Sequence, residues 1–200
     1  MQTRVEIADF ENWRAVAEDA AKVLKGGELV ALPTETVYGL GADAFNADAV
    51  AKVFEAKGRP SFDPLIVHIA GIRDLQRVAV VSGELEVVVR QLAKAFWPGP
   101  LTMVLPKHED VPDLVTSGLP TVAVRVSKHE VMRLLTKELG PIAAPSANRF
   151  GRISPTSASA VLAELEGRIP LIVDGGASSN GLESTIIAVE VGEKRPVLRL

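Results

Sequence analysis

Small polar side chains and paired cations are concentrated in four short segments of the sequence. The first, residues 33–39 (PTETVYG), carries Thr34 and Thr36 directly after an apolar run. Their hydroxyls can bind a small polar ligand, or they can bond to the backbone of a turn, as threonine often does. Taken alone, this segment is better explained as a turn.

The second segment, residues 57–60 (KGRP), places Lys57 and Arg59 at the end of a predicted helix. Cations there suit the negative end of the helix dipole. They also suit a phosphate group, because lysine supplies a point charge and arginine a planar set of donors. The sequence leaves both explanations open. His68 follows in a short strand, where a lone histidine is more often a packed side chain than a catalyst.

The third segment, residues 145–154 (PSANRFGRIS), holds Ser146, Asn148 and Ser154, and the fourth, residues 181–185 (GLEST), opens a strand with two hydroxyls. These residue types suit a phosphate or a ribose, but helix-entry loops and turns use them too. The sequence has no Walker phosphate loop, no dinucleotide fingerprint, no nucleophile elbow and no metal-ligand spacing. An enzyme built from these residues would therefore rely on positioning and charge stabilisation.

Composition excludes several classes of function. The chain has 200 residues, which suits one domain, and it has no cysteine, so thiolate catalysis and disulfides are excluded. The net charge of −3 and the 4% aromatic content argue against a surface that grips long nucleic acid or stacks single strands. The apolar runs are too short to span a bilayer and no secretory signal opens the chain, so we expect a cytoplasmic protein with no membrane association.

Predicted helices and strands alternate along the chain. Apolar periodicity and caps predict helices at residues 11–25, 47–57, 82–95, 127–138 and 156–166. Strands are predicted at residues 28–33, 65–69, 101–105, 121–126, 142–144, 171–173, 184–189 and 197–200. This alternation predicts a single α/β domain over residues 1–200, with a sheet that is mixed because some strands follow one another without a helix. The four polar segments follow strands or helices at the edge where α/β proteins bind ligands.

Five motifs, in order along the chain, resemble those of the YrdC-like family. They are residues 32–40 (LPTETVYGL), 57–60 (KGRP) with 64–68 (PLIVH), 97–102 (WPGPLT), 144–148 (APSAN) and 181–186 (GLESTI). Each motif is weak alone, but together, with compatible spacing over almost the whole chain, they are highly specific. The resemblance implies a twisted, open α/β sheet with flanking helices around a deep, positively lined cavity. Longer members of the family add a linker and a second domain.

The resemblance also implies an activity. Members of the family join L-threonine, bicarbonate or CO2, and ATP into L-threonylcarbamoyl-AMP and release pyrophosphate, a nucleotidyltransferase reaction. Mg2+ is expected with the ATP phosphates and not in a protein-built metal site. The product would go to the downstream proteins that transfer the threonylcarbamoyl group to tRNAs reading codons that begin with A. Any direct RNA binding by this chain is expected to be weak.

Positions that match the family motifs imply a site with two sides. The threonine side is implied to hold Thr36, His68, Thr121, Ala144 and Ser184. The ATP side is implied to hold Arg59, Asp63, Ser117, Ser146, Asn148, Ser154 and Arg199. Lys57 and Arg59 are implied as the catalytic pair. Asp63 departs from the family pattern, in which asparagine is common, and a carboxylate beside phosphates is repulsive unless it contacts ribose, base or metal.

Three other interpretations remain. One is an RNA-binding module, which the acidic balance opposes but a local basic cavity would allow. Another is a carbamoyl-transfer enzyme that uses the same fold with carbamoyl phosphate. The last is a paralogue with the fold and a different activity.

Overall fold

The computed structural model describes residues 2–191 and 196–199, with side chains for residues 2–190. The strands of this part are β1 (Arg4–Ile7), β2 (Val30–Leu32), β3 (Gly39–Asp43), β4 (Ile66–His68), β5 (Leu101–Pro106), β6 (Thr121–Arg125), β7 (Ile142–Ala143), β8 (Leu171–Asp174), β9 (Thr185–Val191) and β10 (Pro196–Arg199). The helices are α1 (Trp13–Lys25), α2 (Ala47–Lys57), α3 (Gly83–Phe96), α4 (Asp113–Thr116), α5 (Glu130–Leu139) and α6 (Ala158–Leu165), with a 3-10 helix at Ile72–Arg77.

These strands form one mixed sheet in the order β1-β8-β2-β3-β7-β4-β6-β5-β9-β10. Strands β1, β8 and β2 are parallel, and so are the pairs β4–β6 and β5–β9. The other neighbours are antiparallel. The predicted α/β class and mixed sheet are therefore confirmed. Strands β2 and β3 follow each other without a helix and are antiparallel, as expected, whereas β5 and β6 are antiparallel although the short helix α4 lies between them.

The core lies on both faces of the sheet. One apolar cluster joins alternate residues of nearly every strand to α2, α3 and α6, and it includes the fully buried Val67, Met103 and Val124. A second cluster packs α1 and α5 on the opposite face of β8, β2 and β7. Because successive side chains in a strand point to opposite faces, Ile142 and Ala143 belong to different clusters.

Strands β1 and β3 were not predicted. Two glycines break the apolar pattern of β3, but close packing requires a glycine there. A Cβ on Gly41 would lie 3.0 Å from Leu32 Cδ1 and 3.3 Å from Ile142 Cγ2. Strand β1 is a short edge strand. Its four residues (RVEI) do alternate between polar and apolar, which is a strand signal that the prediction missed, although Val5 and Ile7 are exposed in the fold.

The prediction that residues 127–130 form a capping box was wrong. Helix α5 begins at Glu130, and its N-cap residue is His129, which makes no side-chain cap hydrogen bond. The Ser127 hydroxyl donates instead to Glu35 Oε2 at 2.6 Å and accepts from the His129 N–H. A charged carboxylate is a stronger hydrogen-bond partner than a backbone amide, so the Ser127 hydroxyl binds Glu35 and does not cap the helix.

Candidate active site

The face that α1 and α5 cover continues past β7 as a partly exposed strip. By strand register, this face carries side chains from β4, β6, β5 and β9. Among those that reach solvent are Ile66, Val104, Thr121, Ala123, Ile186 and Ala188. We call these six residues the open strip. It gives the sheet an apolar surface that a small ligand can reach.

A buried polar row crosses the sheet at one end of the open strip. His68, Arg125 and Thr102 face one another in register on β4, β6 and β5. All three are at least 97% buried. Arg125 Nη1 donates to Thr36 Oγ1 at 2.7 Å, and the hydroxyls of Thr102 and Ser184 are 2.7 Å apart.

This row connects the residues predicted for the threonine side. Thr36, His68 and Ser184 meet around Arg125 and Thr102, although they are far apart in sequence. Ala144 adjoins them, since its N–H donates to Ile66 O at 2.8 Å. Thr121 is on the same face of β6 as Arg125 but at the opposite end of the strand, about 13 Å away at roughly 3.3 Å per residue.

His68 is neutral in this environment. Burial and the nearby charge of Arg125 lower its pKa to about 3, although Glu35 and the Ala144 backbone oppose the shift. Its Nδ1 atom is buried and has no hydrogen-bond partner among the described residues. His68 can therefore bind a ligand through a neutral ring nitrogen but not through charge.

Sequence reasoning missed the ion pair that holds this row. Arg125 Nη2 lies 2.7 Å from Glu35 Oε1, and both side chains are more than nine-tenths buried. Burial raises the pKa of the Glu35 carboxyl, but Arg125 and the Ser127 hydroxyl together outweigh burial and lower it. The sequence did contain a signal, because an arginine inside an apolar strand (TVAVRV) is rarely buried without a partner.

Lys57 lies beside the loop that contains Ser146 and Asn148. Its side chain is 2% exposed, and Nζ donates to the backbone oxygens of both residues. Burial, with the nearby charge of Arg59, lowers the Lys57 pKa to about 8. The ammonium is thus still the main form at pH 7. Since an ammonium has three donors, one is left to face a ligand.

Arg59 and Asp63 form a pair at the end of α2. Arg59 Nη2 lies 2.9 Å from Asp63 Oδ1, and Nε donates to the Asp63 carbonyl. The sequence placed Asp63 beside phosphates, where a carboxylate is repulsive. In the structure its charge is offset by Arg59, which reduces that repulsion. Burial lowers the Arg59 pKa, and Asp63 opposes this shift.

The other residues predicted to bind ATP, apart from Arg199, lie on the loops around Lys57 and Arg59. Asn148 Nδ2 donates to the Arg149 and Arg152 carbonyls. The Ser154 hydroxyl donates to Glu183 Oε1 and so joins its loop to the one before Ser184. Ser117 ends α4 with a left-handed φ of 54°, near the segment after Arg59, because Leu65 N–H donates to Val115 O. The side chain of Arg199 lies outside the described residues.

Three of the predicted ligand-binding residues carry buried polar atoms without a partner in the described part of the chain. They are His68 Nδ1, Ser117 Oγ and Asn148 Oδ1. Leaving such an atom unpaired costs about 1–3 kcal/mol, so native proteins do it rarely and usually for a reason. A bound ligand would supply the missing partners. His129 Nδ1 is also unpaired, but it lies at the start of α5, outside this region.

A model of the Sua5/YciO/YrdC family, described as "Telomere recombination", matches residues 22–200. The chain belongs to this family. It is 50% identical over 190 residues to the threonylcarbamoyl-AMP synthase of Pyrococcus abyssi, covering 94% of this chain and 54% of that protein. It is 52% identical over 171 residues to the protein of the same name from Bacillus subtilis, covering 84% and 49%. The chain thus spans about half the length of these curated relatives.

A solved structure of a family member has the same fold. It is described as P. abyssi Sua5 complexed with L-threonine, is 48% identical in sequence, and superposes with a TM-score of 0.88 over 98% of this chain and 56% of that chain. The family membership inferred from five short motifs is therefore confirmed.

The described residues contain no cluster of three His, Cys, Asp or Glu side chains that could hold a metal ion. Two carboxylates whose charges act on Lys57 are already paired: Asp63 with Arg59, and Glu183 with the Ser154 hydroxyl. A magnesium ion bound through ATP phosphates needs few protein ligands, so this donor set fits Mg2+ carried in with the nucleotide. None of the helices in this part of the chain is long and apolar enough to cross a membrane.

Replacing Ser117 by alanine is expected to leave the stability of the free protein within about 0.5 kcal/mol, because its buried hydroxyl makes no hydrogen bond to lose. The same change should weaken ATP binding by about tenfold, the effect of losing one hydrogen bond. Urea unfolding and calorimetric titration with ATP measure the two effects. Ser82→Ala, an exposed serine, is the matched control. A large loss of stability with unchanged ATP affinity would contradict the assignment.

Proposed function

We propose that this chain synthesises L-threonylcarbamoyl-AMP from L-threonine, bicarbonate or CO2, and ATP, and releases pyrophosphate. One observation carries the proposal: the unpaired buried atoms of His68, Ser117 and Asn148 coincide with residues that the family motifs assign to the two substrates. The names of the relatives at 50% and 52% identity support the same activity.

The chemistry needs two bond-forming steps. The amine of threonine adds to the carbon of CO2 and loses a proton, which gives a carbamate. A carbamate oxygen then attacks the α-phosphorus of ATP. As that P–O bond forms, the bond from the α-phosphorus to the bridging oxygen breaks, and pyrophosphate leaves with the electron pair. The second step concentrates negative charge on the phosphates, so it depends on cations held in place before the reaction.

Lys57 and Arg59 are the cations that would stabilise this charge. The Lys57 ammonium is fixed by two carbonyls and keeps one donor free, so it needs little reorganisation. Arg59 is held by Asp63 and presents a planar set of donors to an oxyanion. Ser146 and Asn148 would orient the α-phosphate. Mg2+, bound through the phosphates, would neutralise further charge on ATP.

His68 and its neighbours would position threonine. With a pKa near 3, His68 is a poor base at neutral pH, so a positioning role through a neutral nitrogen suits it better than proton transfer. The partly exposed Ile66 and Ala123 of the open strip are on the same face and would contact the substrate methyl group.

Pyrophosphate release tests this function. We expect release that requires L-threonine, ATP, Mg2+ and bicarbonate together, with none when threonine is omitted. Carbamoyl phosphate should not replace bicarbonate and ATP. If it does, the chain is a carbamoyl-transfer enzyme on the same fold. Salt-dependent RNA binding without any release of pyrophosphate would instead favour an RNA-binding module.

The product would be used by the proteins that transfer the threonylcarbamoyl group to tRNA. We infer that this occurs in the cytoplasm, where those tRNAs are used. A mixed phosphoric–carbamic anhydride hydrolyses readily, so the next enzyme must collect it promptly after release.

A further inference from the structure

Thr34, Thr36 and Arg125 form a chain of hydrogen bonds at the threonine side of the site. The Thr34 hydroxyl donates to the Val37 carbonyl at 2.6 Å, and the hydroxyls of Thr34 and Thr36 are 2.9 Å apart. Arg125 Nη1 donates to Thr36 Oγ1 at 2.7 Å. Neither Thr34 nor Arg125 is among the residues that the family motifs imply as ligand contacts.

The direction of each bond follows from the number of protons. A threonine hydroxyl has one proton and two lone pairs, and an arginine can only donate. The proton of Thr34 is committed to the Val37 carbonyl, which can only accept. Thr34 Oγ1 also accepts, over longer distances, from the N–H groups of Thr36 at 3.1 Å and Val37 at 3.3 Å. Two hydroxyl oxygens 2.9 Å apart repel unless a proton lies between them, and only Thr36 has one to give, so Thr36 donates to Thr34. Thr36 then accepts from Arg125 and has one lone pair left.

We propose that Thr34 and Arg125 are positioning residues that make Thr36 a hydrogen-bond acceptor only, so that this part of the site selects a donor group of the amino acid substrate. This inference rests on the proposed function and adds the reason for its selectivity. L-threonine carries two such donors, its ammonium and its hydroxyl, and either fits. A ligand that presents only an acceptor would meet the lone pair of Thr36 and be disfavoured.

The surroundings keep this direction fixed. Thr34, Thr36 and Arg125 are each at least 97% buried, so water does not compete for their protons. Arg125 is itself held on three sides, by the Glu35 carboxylate, the Gly99 carbonyl and Thr36. The turn that presents this carbonyl requires glycine at position 99, because a Cβ there would lie 2.4 Å from Phe96 O.

Thr34→Val tests the proposal without touching a predicted ligand contact. Valine keeps the shape of threonine but cannot receive the Thr36 proton, so Thr36 is free to turn and donate. Valine also loses the bonds of Thr34 to the backbone of Thr36 and Val37, so urea unfolding must show that the variant is folded. We expect KM for L-threonine to rise about tenfold, as for the loss of one hydrogen bond, with KM for ATP and kcat at saturating threonine little changed. Thr34→Ser retains the hydroxyl and should restore wild-type KM.

Arg125→Lys supplies a second, independent variant. Lysine keeps the positive charge beside Glu35 but loses the planar set of donors that reaches Thr36 and Gly99 together. KM for L-threonine should rise again while KM for ATP stays constant. The proposed role is wrong if, in either variant, KM for ATP rises together with KM for L-threonine, or if KM for L-threonine does not rise. Thr34 and Arg125 would then only support the fold.

Calorimetry with amino acids then identifies the donor. L-2-aminobutyrate has the ammonium of threonine but no hydroxyl. If Thr34→Val weakens its binding as much as it weakens threonine, Thr36 receives the ammonium; if only threonine is affected, Thr36 receives the hydroxyl. Failure of the proposed function is distinguishable, because the wild-type protein would then neither bind threonine nor release pyrophosphate. If the wild-type protein forms the product but Thr34→Val has the same KM for L-threonine as the wild type, this inference alone is overturned.

Discussion

Replacing Lys57 by methionine is expected to lower kcat/KM for ATP roughly a hundredfold or more, the loss seen when one charge-stabilising donor is removed from an active site. Methionine retains much of the lysine stem but offers no proton to the phosphates. The effect should be large because Lys57 is buried and already oriented by Ser146 and Asn148. Steady-state pyrophosphate release measures it.

Lys52→Met is the matched control for this change. Lys52 is in the same helix, α2, but its Nζ bonds to Gly27 O and Glu28 at the partly exposed surface. Its replacement should leave the rate unchanged. Urea unfolding of Lys57→Met separates lost catalysis from lost stability, since two buried carbonyls lose their donor. Full activity in Lys57→Met would contradict the phosphate role.

The Lys57 pKa adds a pH dependence to the same test. With a pKa of about 8 in the free protein, Lys57 loses its proton as the pH rises through 8. Because kcat/KM reports groups of the free enzyme, kcat/KM for ATP should fall on the alkaline side of about pH 8. Lys57→Arg, which stays protonated, should move this fall to higher pH.

Breaking the Glu35–Arg125 pair should cause the largest loss of stability. Arg125→Met leaves the Glu35 carboxylate buried without its cation, and removing one partner of a buried pair typically costs about 3–5 kcal/mol. The double variant Glu35→Gln/Arg125→Met should lose less than the sum of the single changes, because no unpaired charge remains. Free energies of unfolding in urea measure both.

An exposed pair provides the comparison. Arg90 contacts Glu86 one turn away on α3, and both side chains are more than a third exposed. Arg90→Met should therefore cost only about 0.3–0.5 kcal/mol. Equal losses of unfolding free energy in Arg90→Met and Arg125→Met would show that burial does not strengthen the Glu35–Arg125 pair.

Acid should reduce the contribution of the Glu35–Arg125 pair to the stability of the fold. The pKa of Glu35 is lower in the folded chain than its usual value of 4.5, so the folded state favours the carboxylate. Its contribution to stability is present above pH 4.5 and is lost as the pH falls through the folded value. The difference in unfolding free energy between the wild type and Glu35→Gln should therefore become smaller over the same acid range.

Local sequence signals predicted most of the helices because their caps and periodicity lie within a few residues. Helix α2 shows this: Asn46 caps its start, Gly58 ends it with a positive φ of 59°, and its bounds match the prediction. Strand β3 was missed because its glycines allow close contacts with the preceding strand β2 and with β7, which is distant in sequence. Those contacts leave no trace in the local pattern.

The same distinction holds for the site. Motifs singled out Thr36, His68 and Ser184, but no motif showed that Arg125 and Thr102 join them. Register does so, because it sets β4, β6 and β5 side by side with these residues in line. The capping box at Ser127 failed for a similar reason, since its hydroxyl bonds to Glu35, 92 residues away.

Incubation with L-threonine, ATP, Mg2+ and 13C-bicarbonate, followed by mass spectrometry, tests the central claim most directly. We expect an adenylate of threonine that carries one labelled carbon and forms in equal amount with pyrophosphate. Its formation should fall roughly a hundredfold with Lys57→Met. No adduct from folded protein that binds ATP and threonine, or a threonyl adenylate without the label, would contradict the claim.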